Sequence, residues 1–382
     1  MSRSNRRGFV VTGGGTAGHV VPALAVADAL VARGVDAEAI TYVGSRRGME
    51  VDVVAATPYR LVALPGRGIR RSLSPRALLQ NAGAVLGLAV AVLQALWIVL
   101  RTRPAAVVSV GGYAAAPASL AAVLTRRPLV LVNVDAVAGA VNRLTARFAA
   151  ASAVAMGGTE LNREVVTGAP LRPGFSGVHR DATSRAEARR SLGLGDGQHA
   201  GAVVAFVGGS LGAGSLNALA QELATTWHPA VEVTLYQVAG RRFAEELSAA
   251  AASGATDAKL RWMVVPFEEH MRELYLAADV VVSRAGAMTV AELAATGTPS
   301  LLAPLPGAPN DHQRRNAERL VAEGAARIID PDLPGAAIEL AATLDEVLAD
   351  PAALAETSRR ARSLAPDDAA GAVADLVLRH AR

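Results

Sequence analysis

Phe9-Val10-Val11-Thr12-Gly13-Gly14-Gly15-Thr16-Ala17-Gly18-His19-Val20-Val21-Pro22 is a short run of apolar strand formers, then a glycine-rich turn, then a stretch of helical composition running to residue 30. That order predicts a strand ending in a loop whose backbone N–H groups, with the dipole of the following helix, face an anion or a closely packed ligand. The apolar run 39–43 is the next short strand-like segment. Residues 107–110 then lead into Gly111-Gly112-Tyr113, and 129–132 follows one helix later. Alternation of this kind predicts a doubly wound α/β domain.

From Pro170-Leu171-Arg172-Pro173-Gly174 onward the composition turns polar, with no strand pattern over 179–197. The theme then restarts with apolar 203–207, the loop Gly208-Gly209-Ser210-Leu211-Gly212-Ala213-Gly214, helical 216–223, and further strand–helix units at 280–282 and 300–304. A chain of 382 residues exceeds what one hydrophobic core usually fills. We therefore expect two Rossmann-like domains, 1–172 and 173–354, with a C-terminal helix of about residues 355–382 docking back onto the first.

With 51% hydrophobic and 19% charged residues the chain is a folded one. The absence of cysteine excludes disulfides, thiolate metal sites and a cysteine nucleophile. The net charge is only +4, basic and acidic residues are interspersed, and aromatics are 4%, so nucleic acid is not an expected partner. Residues 1–7 run straight into the first strand without the apolar stretch of a secretory signal, which predicts a cytoplasmic chain.

Residues 82–100 are apolar, with Ser74-Pro75 a helix start and Arg103-Pro104 a stop. The length meets the test for a membrane span. A span would put strands of one sheet on opposite sides of a bilayer. A surface helix resting its apolar face on an anionic inner leaflet beside Arg67, Arg70, Arg71 and Arg76, or a helix buried in the core or at a subunit contact, fits better.

The first glycine loop resembles a dinucleotide fingerprint only loosely. An acidic residue is expected after the second strand of a nicotinamide enzyme, and Gly44-Ser45-Arg46-Arg47 stands there instead. Two glycine loops, one in each half, suit a nucleotide diphosphate and a second substrate in a cleft between the domains. In the stretch 283–299, Gly286-Ala287-Met288-Thr289 opens a helix with small residues that let backbone amides approach a phosphate, and Gly297 closes it. Glu292, one turn after Thr289, has the reach to accept from two ribose hydroxyls, or is an ordinary exposed glutamate. At the next helix start, His312, Gln313 and Asn316 offer neutral donors and acceptors for sugar hydroxyls.

Across residues 9–330 the chain resembles the MurG family of UDP-N-acetylglucosamine transferases. The motifs are 14–23, Gly44-Ser45-Arg46-Arg47-Gly48-Met49-Glu50, Gly111-Gly112-Tyr113, Thr167-Gly168-Ala169-Pro170-Leu171-Arg172, 208–213 and 283–316. The resemblance implies the GT-B fold, two Rossmann-like domains with parallel sheets facing across a cleft. It implies inverting transfer of N-acetylglucosamine from UDP-N-acetylglucosamine to an undecaprenyl-diphosphate-linked muramoyl peptide, without metal or cofactor, by an enzyme peripheral on the cytoplasmic membrane face. On the donor side it implies Ser210 and Gly286, Ala287, Met288 and Thr289 at the diphosphate, Glu292 at the ribose, Arg172 close by, Gln313 with His312 at the sugar, and Thr16. On the acceptor side it implies Gly18, Tyr113 and Asn142, with His19 as base.

The departure lies where family members carry His-Glu-Gln-Asn; Val132-Asn133-Val134-Asp135 stands there, and Ala17 replaces a family glycine. Asp135 becomes a second candidate base. The departure keeps open a MurG-like transferase recruited to a specialised-metabolite acceptor, a UDP-sugar-binding protein without transfer, and a UDP-sugar epimerase, since fold alone does not decide function.

Overall fold

A computed structural model describes residues 8–65, 75–195, 201–209, 212–254 and 257–382, and of 75–82 the backbone alone. The chain divides into two compact units, Met1–Pro173 with Asp368–Arg382, and Gly174–Asp367. The candidate Ser210, and Arg67, Arg70 and Arg71, lie outside the described residues.

In the first unit the strands are β1 (Phe9–Thr12), β2 (Ile40–Ser45), β3 (Arg60–Leu64), β4 (Ala106–Ser109), β5 (Leu129–Asn133), β6 (Ala151–Val154) and β7 (Glu164–Val166). They pair in parallel in the order β3-β2-β1-β4-β5-β6-β7. The connecting helices are α1 (Ala17–Ala32), α2 (Glu50–Ala55), α3 (Pro75–Thr102), α4 (Ala116–Leu124) and α5 (Ala140–Thr145). Val10, Val11, Val107, Val108, Val130 and Leu131 are all buried. Successive residues of a strand point to opposite faces, so this sheet is covered on both sides, and its strands read as unbroken apolar runs. Between β1 and β4 the strand order reverses. Connections leave there in opposite directions and open a crevice at the carboxyl ends, the usual ligand position in such sheets.

Helix α3 is long and apolar enough to cross a bilayer, with mean hydropathy 2.3 over Gly83–Thr102. One face of it, Ala84, Ala91, Ala95, Ile98 and Val99, is buried, and all of these but Ala84 pack with Val10, Val43, Leu64 and Val107. Because β1, before the helix, pairs directly with β4, after it, a span is excluded. The opposite face leaves Leu86, Leu93, Trp97 and Leu100 more than 60% exposed. The fold therefore makes this a surface helix with a bare apolar stripe.

In the second unit the strands are β8 (Ala202–Val207), β9 (Val233–Val238), β10 (Leu260–Val265), β11 (Val280–Ser283), β12 (Ser300–Leu302) and β13 (Ala326–Ile328). They form a parallel sheet in the order β10-β9-β8-β11-β12-β13, with its reversal between β8 and β11. The helices are α6 (Ala182–Ser191), α7 (Gly214–Thr226), α8 (Ala244–Ala252), α9 (Met271–Ala277), α10 (Ala287–Thr296), α11 (His312–Ala322), α12 (Ala336–Ala349) and α13 (Pro351–Ser363). Phe206, Leu216, Leu223, Trp227, Leu235, Leu340 and Leu344 form the core on one face. The polar stretch that shows no strand pattern is α6. Its Asp181–Ser184 capping box starts the helix, and Arg185 and Arg189 share Asp279 at the foot of β11. The two terminal helices part company. Ser358 of α13 donates to the Gly297 carbonyl at 2.6 Å, whereas the last helix, Ala369–His380, packs on α1, where Arg33 pairs with Asp368 and Asp375.

Candidate functional site

At the crevice of the first unit, the loop after β1 turns through Gly15 (φ +91°) into α1. The His19 Nδ1 lies 3.0 Å from the Thr16 hydroxyl. In the tautomer whose Nδ1–H donates to the Thr16 hydroxyl, the lone pair sits on Nε2, the nitrogen able to take a proton. The ring packs on the Gly111-Gly112 turn that ends β4. A Cβ on Gly112 (φ +76°) would lie 3.3 Å from His19 Nδ1 and 2.3 Å from the Gly14 carbonyl oxygen, so only glycine fits there.

Tyr113 follows, partly exposed, its ring edge 2.7 Å from where a Gly15 Cβ would be. Asn142, at the start of α5, is buried; its amide donates to the Val132 carbonyl at 3.0 Å, while Asn142 Oδ1 is buried with no hydrogen-bond partner. Asn133 donates to the Asp135 carbonyl at 2.7 Å and so holds the Asp135 turn. Thr16, Gly18, His19, Tyr113 and Asn142 thus gather at one strand crossover, with Asp135 on the loop after the neighbouring β5. Thr16, read as a donor residue, stands here, beside His19. Arg172 is exposed at the end of this unit.

One residue of this crevice was not singled out by the sequence reading. Glu50, the first residue of α2, is fully buried. Its Oε1 accepts from the Ser45 amide at 2.7 Å and its Oε2 from the Gly15 amide at 3.2 Å. The signal was present in the flanking Gly44 and Gly48, whose missing side chains make room for the carboxyl.

In the second unit, the β8 loop and the turn after β11 border the other reversal. Gly286 caps α10 with no side-chain bond, and a Cβ built on it meets nothing nearer than Thr289 Oγ1 at 4.0 Å. The turn at this helix start is therefore uncrowded on the side where a Gly286 side chain would stand. Glu292 is buried, not a solvated surface carboxylate. Gly297, at φ +64°, ends α10 in the left-handed conformation. The Gln313 carbonyl accepts from the Leu305 amide at 3.0 Å, leaving its NH2 as the donor end, and His312 donates to the Pro309 carbonyl at 2.8 Å. Asn316, fully buried, donates to the Ala285 carbonyl at 3.1 Å, which makes it a brace for the turn.

Arg284 ties three segments together. Its guanidinium donates to Ser215 Oγ at 2.6 Å in the first turn of α7, and to the carbonyls of Ala303 at 3.0 Å and Pro304 at 3.4 Å after β12. Burial pulls the Arg284 pKa below its ordinary value, and Asp332 and Asp330 oppose that pull. Among the described residues, no group of three or more histidines and carboxylates gathers as a metal site.

Residues 9–154 match the glycosyltransferase family 28 N-terminal domain and residues 203–373 the family 28 C-terminal domain. A protein of Alkalilimnicola ehrlichii, 38% identical over 98% of this chain and 99% of its own, is named UDP-N-acetylglucosamine--N-acetylmuramyl-(pentapeptide) pyrophosphoryl-undecaprenol N-acetylglucosamine transferase. A Desulforudis audaxviator protein of the same name is 35% identical over 96% of this chain and 97% of its own. Among solved structures, Acinetobacter baumannii MurG superposes with a TM-score of 0.72 at 28% identity, covering 97% of this chain and 98% of that one. A kitacinnamycin glycosyltransferase, at 19% identity and a TM-score of 0.67 over 98% of both chains, shares the fold.

Proposed function

The chain belongs to glycosyltransferase family 28, and from that premise we propose that it transfers N-acetylglucosamine from UDP-N-acetylglucosamine to an undecaprenyl-diphosphate-linked muramoyl pentapeptide. It is a hexosyltransferase of the GT-B fold. The observation that carries the specific reading is likeness over nearly the whole of both chains to transferases named for that donor and acceptor, joined to a family-like residue set at each sheet reversal.

In this reading the second unit takes the donor. Backbone amides at Gly286, Ala287, Met288 and Thr289 meet the diphosphate, and the family resemblance assigns Ser210 and Arg172 to the same donor. The Glu292 carboxylate accepts from the ribose hydroxyls, and Gln313 with His312 addresses the sugar. The first unit takes the acceptor through Gly18, Tyr113 and Asn142. An acceptor hydroxyl oxygen forms its bond to the anomeric carbon from the face opposite the diphosphate, the bond to the diphosphate oxygen breaks, and configuration inverts. His19 Nε2 takes the hydroxyl proton, Thr16 holding the ring, and the α10 amides stabilise the charge gathering on UDP. The resemblance that implies this reading carries no metal and no cofactor.

The bare stripe of α3 supports attachment to the inner membrane leaflet. Val90, Leu93 and Trp97 share a groove of about 620 Å³ with Arg46, Arg60 and Arg101, the pairing of apolar surface and cationic heads that anionic bilayers hold.

A second reading, transfer to a specialised-metabolite acceptor, is favoured by Val132 and Val134, which replace family polar residues and are buried. Incubation with UDP-N-acetylglucosamine and a short-chain lipid-linked muramoyl pentapeptide, read by mass spectrometry, tests the first. The glycosylated lipid is expected; its absence with an active donor-binding site would favour the second.

A further inference from the structure

Glu50 is a buried carboxylate that the transfer chemistry does not use. Both its oxygens are committed to backbone amides of different segments, Gly15 in the loop after β1 at 3.2 Å and Ser45 at the end of β2 at 2.7 Å. The loop after β4 joins them, since Tyr113 Oη donates to Ser45 Oγ at 3.4 Å while its ring covers Gly15. Three glycines frame the carboxyl. A Cβ on Gly14 would come within 2.4 Å of Oε1, on Gly44 within 2.6 Å of Cγ, and on Gly48 within 1.9 Å of Oε2. The desolvation cost of a fully buried carboxylate is met here by neutral amides, which makes it an expensive loop brace unless the geometry it imposes is needed.

From this junction we infer that Glu50 is a positioning residue for the acceptor half of the transfer. It seats the glycine loop that carries Thr16 and His19 and locks it against Tyr113. The Gly15 amide is thereby spent on the protein's own carboxylate and is not offered to a phosphate. The inference rests on the reading that the first unit takes the acceptor.

The test uses the full-length enzyme with Glu50→Gln, which keeps the side-chain volume but turns an NH2 against one of the two amides, and with Gly14→Ala, which pushes on the carboxyl from above. Both are measured for kcat and for KM toward the lipid-linked acceptor, and for UDP affinity by calorimetry. We expect kcat/KM for the acceptor to fall tenfold or more in each, with UDP affinity within twofold of wild type. A merely structural role would scale activity with the folded fraction and leave the acceptor KM and the per-molecule kcat of folded enzyme unchanged; that result would overturn the inference. Loss of UDP binding together with transfer would overturn it as well. A wild-type control that makes no glycosylated lipid would instead strike the functional reading beneath it.

Discussion

Replacing Arg284 with methionine keeps an apolar stem and deletes the guanidinium that joins the β11 turn to α7 and to the segment after β12. Two well-formed charge-assisted bonds go, to Ser215 Oγ at 2.6 Å and to the Ala303 carbonyl at 3.0 Å; at about 1.5–3 kcal/mol each the gross loss is about 3–6 kcal/mol. Against this stands relief of desolvation, because Arg284 Nε is buried without a hydrogen-bond partner, a penalty of about 1–3 kcal/mol. Taking the middle of each range, the net is about 2–3 kcal/mol. If UDP binding must reassemble these loops, that is about a 30- to 150-fold rise in Kd at about 1.4 kcal/mol per tenfold. Calorimetric titration with UDP reads it directly, with thermal unfolding alongside to show that the second unit is folded. Wild-type affinity in a folded Arg284→Met enzyme would refute the reasoning that these three segments form one donor site.

Gly112→Ala puts a Cβ 2.3 Å from the Gly14 carbonyl oxygen at φ +76°; strain of about 1–3 kcal/mol should displace the His19 loop, lowering transfer at least tenfold while UDP titration stays normal. Leu93→Glu with Trp97→Glu changes side chains that are 67% and 63% exposed, so sedimentation with anionic vesicles should fall tenfold or more while turnover of a water-soluble acceptor analogue is unchanged. The hydrogen bond from Arg33 holds the Asp375 carboxylate below its usual range, so its contribution is complete above about pH 4, where the unfolded group is ionised, and disappears as pH falls through the lower folded value. The Tm difference between wild type and Arg33→Ala should therefore be full at pH 7 and close in acid.

The parts of the fold legible in sequence were those with two coincident signals. Residues 9–19 combine an apolar run with a glycine turn, and the same holds for 107–113 and 203–214. Gly297 ends a helix of small residues, where only a left-handed position needs it. Strand β7 is three residues, Glu-Val-Val, one of them exposed, and gives no pattern to read. Strand β9 hides behind its polar members, because buried Gln237 is satisfied by Asn217 and Trp262 at 3.0 and 2.9 Å rather than replaced by an aliphatic residue. Helix α6 is held by arginines reaching Asp279, a residue distant in sequence, so no apolar stripe marks it. The same limit applies to the site. Resemblance to a family names candidate ligand groups, but a brace such as Glu50 becomes visible only when the loop after β1 and the end of β2 are seen to meet on it.

The central claim is tested most directly by competition among acceptors. The enzyme with UDP-N-acetylglucosamine would be offered the lipid-linked muramoyl pentapeptide, a panel of small hydroxylated metabolites, or no acceptor, with UDP release and product mass followed together. The account predicts UDP release coupled one-to-one to glycosylated lipid, with no comparable rate on the panel. Faster transfer to a small metabolite, or conversion of the donor with no acceptor present, would contradict it.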